Sequence, residues 1–509
     1  MKFNLLTFIT FFLVSLSPVS SQNYYCSEIN QLLTANPSAF PFGVASGDPQ
    51  ANSVILWTAI NPFQKSNSNL VDWEVAMDEK FIEIIRNGQF EIHDTSGYTL
   101  KINVQELGPA TTYFYRFKYE NKYSPTGITK TLDLNPQNIK LAVVSCSNYE
   151  WGYFNAYKSI SEIKDLDLVI HLGDYIYEYE TGKYSSKKLK DRNHVPNHEI
   201  VTLQDYRSRY AQYRLDPDLQ ELHRKVPFIT IWDDHEIAND AYAEGAQNHQ
   251  DNEGSWESRK SVSKQAYFEW LPIQNQASRK ISRKFSFGPL ADLIMLDERL
   301  EGRSKQVNSK DDPLRYDTTR SMLGKNQRDW LIEEVTNSKA RWKIIGNQVI
   351  FSNYDYPEKF TLYSKNMDMW EGYPFERDLI LNAWVKNNVQ DVIIVTGDVH
   401  AAFSLDLRQN IRQSNTSIGR EWVTTSITSG SLNEYIPTWK TRIVEKWFKE
   451  KNLNPHIDYI NFRDHGFLLI SIDQDKAVAE WRFEKNILKP KAKTSKKVRR
   501  ELKHSMSLK

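Results

Sequence analysis

Hydrophobic positions along this chain fall into two regimes. Between residues 40 and 131 apolar and polar residues alternate over short runs. Examples are Val71-Asp72-Trp73-Glu74-Val75 and Thr112-Tyr113-Phe114-Tyr115-Arg116-Phe117-Lys118-Tyr119, beside the short apolar run Val54-Ile55-Leu56-Trp57. Turn residues separate the runs: Gly47-Asp48-Pro49, Asn61-Pro62, Asn87-Gly88 and Gly108-Pro109. A period of two with breaks at this spacing predicts a small all-β sandwich of the fibronectin or immunoglobulin kind.

After Asn135-Pro136-Gln137 the pattern changes to continuous apolar runs alternating with amphipathic ones. The runs at 140–144, 168–172, 228–232, 290–296, 342–347 and 392–396 predict strands buried on both faces. Residues 153–164, 203–213, 218–225, 259–270 and 324–337 predict helices between them. This order points to an α/β domain around a partly parallel sheet. Runs at 421–427, 467–472 and 477–483 predict antiparallel strands of a second sheet. Charged stretches at 184–197 and 244–257 read as loops over the site. The expected organisation is a sandwich over 22–136, a catalytic domain over 137–488 and a flexible basic tail over 489–509, able to touch an anionic surface.

Composition narrows the function. The chain has 509 residues and a net charge of +1, so a globally basic nucleic-acid-binding surface is excluded. Lys2, the apolar run Leu5 to Val14 and the small residues Val19 and Ser21 before Gln22 read as a secretory signal over residues 1–21. The apolar run is shorter than the ~20 residues of a membrane span. A periplasmic or extracellular monomer is therefore expected. The two cysteines, Cys26 and Cys146, either pair as a disulfide or leave Cys146 free as a metal-binding thiolate.

The chemistry lies where apolar runs stop. VVSCSN ends at Cys146, LVIHLGDYIYE at Asp174 and Tyr177, FITIWDDHE at Asp233, Asp234 and His235, and VIIVTGDVH at Asp398 and His400. Buried strands that stop at such groups deliver them to the rim of a sheet. Phosphate-ester hydrolysis gains from two adjacent cations on that rim. Asp174 is the candidate bridge, with Gly173 leaving room beside it. A helical turn after Asp174 would return Tyr177 to it, and a phenolate suits Fe(III). Three acids around His235 would repel one another unless a cation joined them; His235 itself is the candidate general acid. Continued strand geometry would aim Asp398 and His400 the same way. The amide oxygens of Gly346-Asn347-Gln348, from Asn347 or Gln348, suit a second, oxygen-preferring metal.

The fragments FPFGVASGDP, SVILWT, VVSCSN, LGDYIYE, YRSRYAQYR, FITIWDDHE, LGKNQRDWL, GNQVIFS, TGDVH and DHGF, in this order, resemble the PhoD-type alkaline phosphatases of the calcineurin-like metallophosphoesterase superfamily. The resemblance implies a β-sandwich followed by a four-layer αββα domain. It also implies Fe(III) held by Cys146, Asp174, Tyr177 and His400, and Ca(II) held by Asp174, Asp234, Asn347 and Asp398. Arg207 and Arg214 are candidates to bind the substrate phosphate. The expected activity is hydrolysis of phosphate mono- and diesters by hydroxide formed at the metals. Two alternatives are a phosphodiesterase or phospholipase D-like enzyme acting on surface polymers or lipids, and a secreted glycan-binding protein with a structural metal.

Overall fold

The computed structural model describes residues 24–64, 68–274, 279–355, 367–411, 417–450, 452–491 and 493–504. The expected signal segment lies outside them.

The chain enters through helix α1 (Ser27–Ala35) and forms eight strands: β1 (Val44–Gly47), β2 (Val54–Ala59), β3 (Leu70–Ala76), β4 (Ile84–Glu91), β5 (Thr99–Val104), β6 (Thr112–Tyr119), β7 (Lys122–Tyr123) and β8 (Gly127–Lys130). One layer has the order β4-β3-β6-β7, with β8 also on β6. The alternation of β6 buries Tyr113, Tyr115, Phe117 and Tyr119. These meet Val54, Leu56, Leu100 and Ile102 of the β1-β2-β5 layer in one core. This is the predicted sandwich, but its second layer does not stand alone. Gly47 of β1 pairs in parallel with Phe228, so β1, β2 and β5 extend a nine-stranded sheet of the following domain.

That domain contains α2 (Asn155–Ser161), α3 (Leu203–Arg214), α4 (Pro217–Lys225), α5 (Trp256–Trp270), α6 (Lys325–Asn337), α7 (Pro374–Lys386), α8 (Leu432–Tyr435) and α9 (Thr438–Phe448). Its strands are β9 (Asn138–Val144), β10 (Leu168–His171), β11 (Phe228–Thr230), β12 (Arg283–Phe287), β13 (Ala291–Met295), β14 (Trp342–Asn347), β15 (Val392–Thr396), β16 (Ala402–Leu407), β17 (Gly419–Val423), β18 (Ile457–Asn461), β19 (Gly466–Asp473), β20 (Lys476–Glu484) and β21 (Thr494–Lys503). The larger sheet runs β21-β20-β19-β9-β10-β11-β1-β2-β5; the other runs β12-β13-β14-β15-β17-β16-β18.

Successive residues of the central strands serve different cores. Trp342, Ile344, Ile393 and Val395 join the cluster that also holds β9, β10 and β19. Their neighbours Ile345, Val392 and Ile394 join a second cluster with Leu331, Val335, Ile380, Trp384, Val444 and Phe448 of α6, α7 and α9. Period-two alternation in strands that are apolar on both faces thus produces helix, sheet, sheet and helix layers.

Two expectations are corrected. β17 pairs in parallel with β15, and β19 and β20 are antiparallel but belong to the larger sheet. The basic tail is not free either, because β21 pairs along β20 from Thr494 to Lys503. Its alternate residues Val498 and Leu502 pack on the main core, while Lys496, Lys497, Arg499 and Lys503 line the open edge, where charge opposes pairing with another chain. Removing residues 493–509 is expected to lower stability by about 1–2 kcal/mol, the value of two half-buried aliphatic side chains. A melting curve unchanged by the deletion would restore the flexible-tail reading.

Candidate metal centre

The carboxyl ends of the parallel strands β9, β10 and β11 in one sheet, and of β13, β14 and β15 in the other, open at a common edge. Loops leaving that edge supply the polar residues, as expected of an α/β sheet. They are tied together by the main chain: Cys146 N donates to Gly173 O at 3.2 Å, and Ser147 N to Asp174 O at 2.9 Å. Gly173, at φ 101°, allows a close approach. A Cβ there would stand 2.3 Å from Asp233 N.

Cys146, Asp174, Asp398 and His400 have φ values of 59°, 55°, 61° and 53°. Left-handed backbone costs a non-glycine residue roughly 1–2 kcal/mol, and such residues persist where their surroundings over-determine them. Neither the strand continued through Asp398 nor the helical turn after Asp174 is present. Tight turns aim these side chains instead.

The sulfur of Cys146, a carboxylate oxygen of Asp174 and a ring nitrogen of His400 lie within 4.8 Å of one another. The Tyr177 hydroxyl donates to Asp174 Oδ2 at 2.7 Å and accepts from Ser429 Oγ at 2.6 Å. His400 Nδ1 donates to Gly430 O at 3.1 Å. A carbonyl can only accept, so the proton is fixed on Nδ1 and Nε2 keeps its lone pair. Burial holds the His400 pKa down at about 4. Burial, followed by the Asp174 charge, pushes the Cys146 thiol well up.

Asp174 joins a second group with Asp234 and His235, again within 4.8 Å. His235 Nδ1 meets Glu178 Oε2 at 2.7 Å, and its ring lies 4.3 Å from that of Tyr177. Asn239 N and Asn248 Nδ2 each donate to Glu178 Oε1 at 2.8 Å. Burial alone would neutralise His235, but Asp234, Glu178 and Asp174 outweigh it and raise its pKa well above the ordinary value. Glu236 braces the floor, accepting from Asp174 N, Tyr175 N and Asp233 N. Asp174, Asp234, His235, Asp240, Asp398 and His400 face a cleft of about 340 Å³.

The donor set fits cations. Asp174 Oδ1, Asp233 Oδ2, Asp234 Oδ1 and Gln348 Oε1 are buried without a hydrogen-bond partner. Buried carboxylate oxygens in that condition are costly unless a cation meets them. Thiol, phenol, imidazole and carboxylate together suit a transition metal, and the oxygen-rich side suits a harder ion.

Comparison with known proteins fixes the family. A PhoD-like phosphatase sequence model matches residues 141–481, and one for the PhoD-like phosphatase N-terminal domain matches residues 28–133. Alkaline phosphatase D of Bacillus subtilis (strain 168) is 35% identical over 505 residues, covering 95% of this chain and 84% of the relative. This chain belongs to the PhoD-like phosphatases. The solved structure of PhoD superposes with a TM-score of 0.83 at 33% identity, covering 93% of this chain and 92% of the other. The chain is a homologue of alkaline phosphatase D and a phosphoric ester hydrolase.

Within this PhoD-like chain, two expected site residues lie elsewhere. Arg207 pairs with Glu269 at 2.6 Å and donates to Thr95 O, at the seam with the sandwich. Arg214 is fully buried, donating to Phe42 O and standing 4.4 Å from the Trp57 ring centre. Both arginines bind the two domains together and neither faces the cleft. The carboxamide of Asn347 is committed to Trp370 Nε1, Thr396 Oγ1 and Val349 O, whereas Gln348 next to it has the unpartnered oxygen. The two cysteines are free thiols. Cys26 sits at the start of α1, its N donating to Ser208 Oγ.

The sequence reading missed Arg299. This fully buried guanidinium meets Asp233 at 2.5 Å, Asp368 at 2.8 Å and Asp234 at 3.6 Å. It supplies one cation that the acidic cluster demanded. Burial raises Asp233 to about 6 against the pull of Arg299, whereas at Asp234 burial is outweighed by Arg299 and His235, which hold it down at about 2. The signal was present in LIM-LDER, another apolar run that stops at charged residues.

Proposed function

We propose that this PhoD-like protein is a metal-dependent hydrolase of phosphate mono- and diesters. One metal, Fe(III), would be held by Cys146, Asp174, Tyr177 and His400. The second, Ca(II) or another divalent ion, would be held by Asp174, Asp234 and Asp398. The observation that carries this reading is the gathering of these groups at one cleft with carboxylate oxygens left unpartnered. When bound, such cations polarise phosphoryl oxygens and make water acidic enough to attack phosphorus.

His235 supplies the proton for the departing oxygen. Glu178 holds its Nδ1, and the rings of Tyr177 and Tyr179 hold its plane. His235→Asn is expected to slow hydrolysis of an alkyl phosphate by about 10²–10⁴-fold and that of a nitrophenyl ester, whose leaving group needs no proton, far less. Equal loss on both esters together with loss of bound metal would make His235 a ligand instead. Dialysis against a chelator is expected to abolish turnover, with recovery on adding iron and calcium. Full activity in metal-free protein would overturn the reading.

A groove of about 680 Å³ shares Tyr184 with the cleft and is lined by Trp151, Tyr435, Lys187 and Lys188. It favours diesters with a bulky anionic or ring-bearing substituent, a preference that rates on paired mono- and diesters would reveal. Export is proposed from the pattern of residues 1–21; no helix of the described residues is long and apolar enough to cross a membrane.

A further inference from the structure

The outer face of α9 carries side chains that the catalytic reading does not use. Trp439, Ile443 and Trp447 recur every four residues and so share one face of the helix. They are 62%, 38% and 38% exposed. The opposite face is ordinary core: Thr441, Val444 and Phe448 are buried, the last two in the cluster behind the smaller sheet. Arg442, Lys446 and Lys449 lie along one flank of the stripe and Lys440 along the other, all exposed. The Lys440 ammonium stands 5.5 Å from the Trp439 ring centre. The single acid within α9, Glu445, is turned inward, where it accepts from Phe462 N and pairs with Arg463 at 2.8 Å.

We propose that α9 is an interfacial helix that seats the protein on an anionic lipid surface. Indole rings and an isoleucine bordered by Lys440, Arg442, Lys446 and Lys449, against which the exposed acid Glu450 stands just past the helix end, leave a net positive apolar stripe of the composition that enters a headgroup layer. A protein partner fits less well. At about 150–250 Å² for a whole aromatic side chain, the stripe offers on the order of 300 Å². A stable protein interface needs ~800 Å² from each side. The position relative to the cleft agrees. Tyr435, 59% exposed in α8 just before this helix, packs on Trp151 at 5.9 Å; Trp151 packs on Tyr184 at 5.6 Å. The Tyr184 hydroxyl lies 3.3 Å from His400 Nδ1. A protein seated on α9 therefore holds its cleft mouth near the lipid headgroups. This inference stands whether or not the metal assignment does.

The test is co-sedimentation of the full chain with vesicles of phosphatidylglycerol and phosphatidylcholine, and with phosphatidylcholine alone. The intact protein is expected to bind the anionic vesicles at least tenfold better and to be released by salt. Trp439→Ala/Trp447→Ala is expected to lose binding at least tenfold. Lys446→Glu/Lys449→Glu should lose the anionic preference. Both variants should keep the turnover of soluble nitrophenyl phosphate, which separates loss of docking from loss of fold. Absence of binding by the intact protein, or undiminished binding by the double tryptophan variant, would overturn the proposal. So would a concentration-dependent dimer that the tryptophan variant abolishes.

Discussion

Replacing Asp174 by alanine is expected to lower kcat/KM for nitrophenyl phosphate by more than about 10³-fold, roughly 4 kcal/mol of transition-state stabilisation. The magnitude follows from its position. Asp174 is the one residue common to both groups of potential ligands. Its Oδ2 receives the Tyr177 hydroxyl and its Oδ1 has no hydrogen-bond partner. Its backbone is held at φ 55° by Gly173 beneath it and by Glu236, which accepts from its N–H. Asparagine would fill the same space and keep one oxygen, but a neutral amide cannot offset two cations. Asp174→Asn should therefore fail almost as completely, and elemental analysis of both variants should show depleted metal. Wild-type turnover by either variant with its metal intact would remove Asp174 from the centre.

Arg299→Met should destabilise the fold by about 3–5 kcal/mol, because removing one partner of a buried ion pair strands the other. Arg303 still meets Asp368 at 2.5 Å, so Asp233 is the residue left uncompensated. At about 2–4 °C per kcal/mol for domains of 150–250 residues, the thermal midpoint should fall by roughly 6–20 °C. Arg299→Lys should rescue little, since a single ammonium cannot reach three carboxylates as a planar guanidinium does. Adding Asp233→Asn to Arg299→Met should recover part of the loss. A midpoint unchanged in Arg299→Met would mean that the cluster does not depend on this cation. Activity should fall with stability, because Asp233 and Asp234 adjoin His235 and share the same guanidinium.

Much of the site was legible because its residues are consecutive with strong local signals. An apolar run that stops at Cys146, at Gly173-Asp174, at Asp233-Asp234-His235 or at Gly397-Asp398-Val399-His400 is a local pattern, and the strands formed where the runs are. Residues that complete the site through space were hidden. Arg299, Glu178, Ser429 and Gly430 act on groups between 30 and 283 residues away in the chain, and no periodicity records such a contact. The misassigned Arg207 and Arg214 illustrate the converse. Arginines in a tyrosine-rich helix look available for phosphate, yet α3 turns both into the seam with the sandwich, where Arg207 meets Glu269 and Thr95 O and Arg214 donates to Phe42 O. The tail misled for a similar reason. Seven cations from Lys491 to Lys503 suggest a solvated end, and only the exposed edge of β20 makes a strand there favourable.

The sequence alone determined the central strands that lead to the site and which residue types stand at their ends, because burial on two faces and abrupt polar termination are properties of neighbouring residues. Only the tertiary structure decided that two sheets bring those ends to one edge. It also decided that left-handed turns rather than continued strands aim Asp398 and His400, and that a buried guanidinium shares the acidic cluster. Those outcomes depend on packing between segments far apart in the chain, where distance and charge are set by the fold.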